Sequence, residues 1–219
     1  MVAANLTQLF VTFINGLHIL DYNKLLDAHG HLSVRNRNNA TTFFMSRHKA
    51  PALVTSPSDI VEYYVANASA VKLNPPGGFF VVPVFDISQC YHNSDTQDLH
   101  VRIIPLGAAL ASRFSAGNST ESLPHYLVVL MQSHGFTTCS IDIETVVFQA
   151  SYSQIDAEVQ FDALAIHHAF LDSNSNHREG LVYLTQKQST DSWATEKWTV
   201  QRPWDFWVRE VKVSPLYVN

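Results

Sequence analysis

The run Leu127-Val128-Val129-Leu130-Met131 constrains the fold more than any other feature of this chain. Five apolar residues in succession leave no polar face, so as a strand the run has to be covered on both sides. A tight turn at Ser133-His134-Gly135 follows, then a second strand-like stretch, Gly135-Phe136-Thr137-Thr138-Cys139. Ser140 stands in N-cap position, with Asp142 and Glu144 placed favourably in a first helical turn. The long helix beyond it carries Val147, Ala150, Ala157, Phe161 and Leu164 on one face. A fully covered strand next to a long amphipathic helix implies a layered α/β arrangement.

The rest of the chain fits that frame. Leu9, Phe13, Leu17 and Leu20 recur at helical spacing within residues 6–25, and the helix they predict ends before Gly30. Leu32-Ser33-Val34-Arg35 and Thr42-Phe43-Phe44-Met45-Ser46-Arg47 read as a hairpin across Asn36-Arg37-Asn38-Asn39. Ser56-Pro57-Ser58-Asp59 breaks the chain, and residues 60–65 read as a strand or a short helical turn. Asn74-Pro75-Pro76-Gly77-Gly78 is a second breaker. Val81-Val82-Pro83-Val84-Phe85 reads as a strand whose proline, near its start, suits an edge or a strand entry. Residues 88–98 read as polar loop, 106–114 as a short amphipathic helix and 117–124 as loop. The tail, 198–219, is aromatic, with Trp204, Phe206 and Trp207 as a docking face. There is no internal repeat. The expectation is one domain over 1–219, built as a mixed sheet with helices on both faces.

Composition narrows the function. The formal charge of −5 comes with no long Lys/Arg run, which argues against nucleic acid as a partner. No apolar run has the length of a membrane span, and residues 6–25 lack the pattern of a signal peptide. Cys90 and Cys139 lie far apart and read as free thiols, and four Asn-x-Ser/Thr triplets read as unused; a cytoplasmic location is expected. No Gly-x-Gly-x-x-Gly or phosphate-cradling loop is present, so no nucleotide cofactor is expected.

Several segments together resemble the class II aldolase/adducin family. Asp27-Ala28-His29-Gly30-His31-Leu32-Ser33-Val34-Arg35 resembles its substrate loop, and Phe44-Met45-Ser46-Arg47 follows at the family's distance. Met131-Gln132-Ser133-His134-Gly135 resembles the strand–turn that supplies a metal ligand there. Val82-Pro83-Val84-Phe85-Asp86-Ile87 and Phe148-Gln149-Ala150-Ser151-Tyr152 also fit. The likeness is greatest to fungal members, several of which serve secondary metabolism. It implies a three-layer α/β/α domain with a central mixed sheet, a divalent metal such as zinc, a small-molecule substrate and a homo-oligomer. Carried over residue by residue, it implies Gly30, His31, Ser33, Arg35 and Ser46 as substrate-binding positions. Ser33, Arg35 and the tail residue Tyr217 are candidates for the chemistry, and His134 is the metal ligand.

The chain departs from the family in one place. Family enzymes carry an acidic residue and a His-x-His pair before the Val-Pro-Val-Phe strand; residues 66–80 hold neither, as though a segment near 74–80 were excised. His29 and His31 have His-x-His spacing and are alternative ligands. His92, His100 and His167-His168 read as solvated or capping residues. Three functions are compatible with these residues. The first is a carbon–carbon lyase of decarboxylase or retro-aldol type. The second is a metal-independent cyclase, isomerase or pericyclic catalyst on the same scaffold. The third is a non-catalytic adducin-like module.

Overall fold

A computed structural model describes residues 5–47, 49–65, 82–115, 124–170 and 184–218. The expected breaker at 74–78, the departure near 74–80 and most of the 117–124 loop lie outside them. The chain divides into two compact units. One comprises Met1–Ala68, Asp142–Tyr183 and Trp198–Asn219; the other comprises Ser69–Ile141 and Leu184–Lys197.

The first unit begins with α1, Leu6–Tyr22, which starts because the Asn5 side chain accepts from the Thr7 and Gln8 amides. It stops where Lys24 turns left-handed, at φ 61°. The stripe read from the sequence, Leu9, Phe13, Leu17 and Leu20, is buried. Gly16 lets α1 approach its neighbours closely: a Cβ there would stand 2.9 Å from Ile143 Cγ2 and 3.1 Å from Leu32 Cδ2.

Three strands follow, β1 (Ser33–Arg35), β2 (Thr42–Ser46) and β3 (Ile60–Tyr64), paired antiparallel in that order. Ser33 faces Met45 and Val61 across the sheet, and Arg35 faces Phe43 and Tyr63. The other face carries Val34, Phe44, Thr42 and Ser46. Phe10 of α1 meets Phe44 there edge-on at 4.9 Å.

Two further helices complete the unit. α3 spans Ile143–Phe170 and α5 spans Gln201–Val213. The N-cap of α3 is Asp142, whose Oδ1 accepts from the Thr145 amide at 2.7 Å, and not Ser140 as the sequence suggested. A carboxylate two residues nearer the helix satisfies the free amides directly. Val147 and Ala150 are buried, but Ala157, Phe161 and Leu164 on the same stripe are exposed, Phe161 at 72%. Length explains this. At 1.5 Å per residue, the 28 residues of α3 run about 42 Å, and the 17 of α1 about 25 Å. In α5 Trp204, Trp207 and Val211 are buried at helical spacing. Phe206, read as part of that docking face, lies on the opposite side of the helix and is exposed.

The second unit is built on β4 (Val84–Phe85), β5 (Val128–Met131) and β6 (Gly135–Thr138). β4 pairs parallel to β5 and is an edge among the described strands, Pro83 standing at its entry, and β5 pairs antiparallel to β6. Thus the described strands form two three-stranded sheets rather than one central sheet. Leu127, Val128, Val129 and Met131 are buried, whereas Leu130, expected to be covered, is exposed. The core holds Phe85, Ile87, Leu106, Phe114, Val129 and Met131. Leu106 belongs to α2, Ile104–Ser112. This unit also contains α4, Gln186–Glu196, which the apolar periodicity does not reveal.

Candidate functional site

The segment Asp27–Arg35 is shaped by local bonds. Asp27 Oδ1 accepts from the His29 amide at 2.8 Å, and the Gly30 amide donates to the Asp27 carbonyl at 3.2 Å. A Cβ at Gly30 would stand 2.7 Å from Leu26 Cβ, so the loop needs glycine there for steric reasons. His29 lies in the turn and His31 in the coil before β1, and both are exposed. They are therefore not the same-face strand pair that their spacing allowed.

Ser33 and Arg35 share one face of the first sheet, two residues apart on β1. Both are exposed, beside a half-buried Phe43–Tyr63 pair stacked at 5.5 Å. Arg35 Nη1 donates to the Ala40 carbonyl at 3.0 Å, which ties the guanidinium to its own hairpin. Ser46 is not with them. One residue beyond Met45, it points to the opposite face and is 4% exposed. On that face Asn36 donates to Glu62 at 2.8 Å and Thr42 Oγ1 donates to it at 2.5 Å. These two bonds hold the Glu62 carboxyl below the usual range.

Tyr217 is placed on α1. Its hydroxyl donates to Asp21 Oδ2 at 2.9 Å, and its ring lies 5.1 Å from His18. Burial and then the Asp21 bond push the phenol up to about 12. His18 is 1% exposed and donates from Nε2 to the Val54 carbonyl at 2.8 Å. Burial lowers its pKa, outweighing that bond. His18 and Asp21 are i,i+3 neighbours on α1, but no spacing in the sequence brings Tyr217 to them.

His134 belongs to the second unit, on the three-residue turn between β5 and β6. Its amide donates to the Met131 carbonyl at 3.0 Å. Ser133 and Gly135 take positive φ, 59° and 136°, which accounts for the glycine. The His134 ring meets that of His100, edge to face, at 6.2 Å between centroids. His100 Nδ1 lies 3.5 Å from Asp98 Oδ2, and Asp98 also pairs with Arg102. His100 is exposed, in keeping with its reading as a solvated residue, and its meeting with His134 across 34 residues leaves no local sequence pattern. Cys139 is held up at about 11 by burial, which makes it a poor nucleophile.

A catalytic zinc takes three protein ligands and an open position. Among the described residues no three His, Cys, Asp or Glu side chains converge on a common point. The described donors therefore do not fit such a centre. Among them also, no helix is long and apolar enough to cross a membrane.

Comparison with protein-family models finds no match. Against proteins of known role, the chain is 34% identical to the decarboxylase tropJ of Talaromyces stipitatus, over 95% of this chain and 96% of the relative. The chain belongs to the same family as that decarboxylase. The alignment runs over 256 positions, more than the 219 residues present here, so the relative carries stretches that this chain lacks.

Proposed function

We propose that this protein is a carbon–carbon lyase of decarboxylase type, acting on a small oxygenated carboxylic acid of fungal secondary metabolism. The observation that carries this reading is the nearly full-length similarity to tropJ. In decarboxylation the bond to the carboxyl carbon breaks and carbon dioxide leaves. The electron pair stays on the substrate and drains to a neighbouring carbonyl oxygen. Only an interaction that strengthens as that charge grows speeds the step; one that merely holds the departing carboxylate does not. Arg35 and Ser33 are therefore assigned to the developing oxyanion, with the Arg35 fork as the charged donor. A proton then replaces the lost carboxyl. The exposed stripe of α3 supports a homo-oligomeric enzyme, and the domain is read as a class II aldolase/adducin-like α/β fold.

Carbon dioxide release from a panel of β-keto and ortho-hydroxyaryl carboxylic acids tests the proposal. At least one acid is expected to turn over. Arg35→Ala is expected to lower kcat by about 10²–10³, the cost of removing an oxyanion donor, with a smaller change in KM. Turnover of none of these acids, under conditions where tropJ releases carbon dioxide, would overturn the reading.

A further inference from the structure

The outer face of the first sheet carries an apolar floor that the fold does not cover. Alternation along the strands sends Thr42, Phe44 and Ser46 inward, and all three are buried. The outward set is Ser33 and Arg35 on β1, Phe43 and Met45 on β2, and Val61 and Tyr63 on β3. A sheet face turned to water ordinarily alternates into polar residues. Here the outward residues of β2 and β3 are apolar or aromatic, and each keeps part of its surface in solvent. Only β1 offers polar groups. The register lays the six side chains in two cross-strand rows, Arg35–Phe43–Tyr63 and Ser33–Met45–Val61. In the first row the Phe43 and Tyr63 rings lie 23° from parallel, with centroids 5.5 Å apart, an offset aromatic pair. The Asn36 amide donates to the Thr42 carbonyl at 3.1 Å, so the next pair along, Arg35 and Phe43, is of the kind without ladder bonds, whose side chains stand closest. Arg35 uses one of its five N–H donors on the Ala40 carbonyl, and among the described residues no carboxylate pairs with it.

We propose that Phe43 and Tyr63 determine specificity: a flat aromatic carboxylic acid stacks its ring on this pair, with its oxygens directed toward Arg35 and Ser33 on the neighbouring strand. The inference deepens the decarboxylase reading and rests on it for the acid. Charge complementarity selects the occupant. An unpaired guanidinium at the margin of an apolar floor suits an anion with an apolar body. Size agrees as well. Strands about 4.8 Å apart, with alternate residues about 6.7 Å apart along each, give Phe43, Met45, Val61 and Tyr63 a floor of about 5 Å by 7 Å, the footprint of one substituted ring. A flexible acid of equal size would cover the same floor, but it has no π-face for Phe43 and Tyr63 and loses rotational freedom on docking. A rigid ring loses little.

The test compares binding of salicylate with that of its saturated counterpart, 2-hydroxycyclohexanecarboxylate, to the full chain, read by calorimetry and by the proton shifts of the ligand. The wild type is expected to bind salicylate about 2–10-fold more tightly, the worth of one aromatic stack, and to move the salicylate ring protons upfield. Phe43→Leu and Tyr63→Leu keep an apolar side chain and remove a ring. Each should lose most of that preference and leave the affinity for the saturated acid unchanged, with thermal unfolding showing that the fold is intact. Equal affinity of the wild type for the two acids, or binding of neither, would overturn the proposal. So would a Phe43→Leu protein that weakens both acids alike, or one whose sedimentation changes while its acid binding does not, since the face would then belong to a second copy. Carbon dioxide release is a separate reading. Turnover without ring preference sinks the platform alone, and ring preference without turnover sinks the decarboxylase assignment alone.

Discussion

Tyr217 donates its hydroxyl to Asp21 and rests on His18, so one contact ties the tail to α1. Its phenol is raised from 10.0 to about 12, which means the native state favours the protonated form. The linked stability is fully present below pH 10 and is lost as pH rises through about 12. Tyr217→Phe is expected to destabilise the protein by about 1 kcal/mol at neutral pH, an ordinary hydrogen bond's worth, and to flatten the alkaline decline. Urea unfolding across pH 8–11 checks both. His18 has the opposite sign. Burial depresses its pKa, so its contribution is present above 6.5 and falls away on acidification, as the unfolded chain takes up a proton that the native state refuses. Thermal unfolding midpoints should drop between pH 7 and 5, and less so in His18→Leu. Neither residue was legible as a partner of the other. Asp21 and Tyr217 lie 196 positions apart, and only the folded chain joins them.

The α1 helix was legible because a four-residue apolar stripe faces one core, and the structure buries all of it. The same reasoning misjudged α3. Periodicity reports which residues share a face, but not how far along that face the neighbours reach. Its start was misjudged too, since Ser140 and Asp142 are both good caps and only geometry chose between them. Asp142→Ala should cost about 1 kcal/mol, against no measurable loss for Ser140→Ala, read as the shift in denaturation midpoint. For α4 a signal did exist. Thr185 and Gln188 form a reciprocal capping box, visible in the sequence as Thr-Gln-Lys-Gln ahead of a polar helix. The hairpin register explains which of the candidate site residues the structure brings together. Ser33 and Arg35 differ by two positions and stay together, whereas Ser46 falls on the other parity and turns inward.

At the scale of the whole molecule, the two candidate regions belong to different units: Ser33 and Arg35 to one, His134 and His100 to the other. Ala157, Phe161 and Leu164 form an exposed stripe on α3, the surface on which the proposed homo-oligomer would pack. If the proposed oligomer forms through this stripe, Phe161→Glu shifts the sedimentation coefficient toward that of the single chain, and an unchanged value would exclude the stripe from the contact. The make-up of the first unit has a consequence for how the protein is born. It draws on Met1–Ala68 and on Trp198–Asn219, so the pairing of α1 with α5 and of Asp21 with Tyr217 cannot form until residues 198–218 have left the ribosome. During synthesis the part of α1 that α5 covers stays open while the intervening unit is made. Chaperone demand on the emerging chain should therefore track the delay between α1 and α5 as well as the stability of the finished protein.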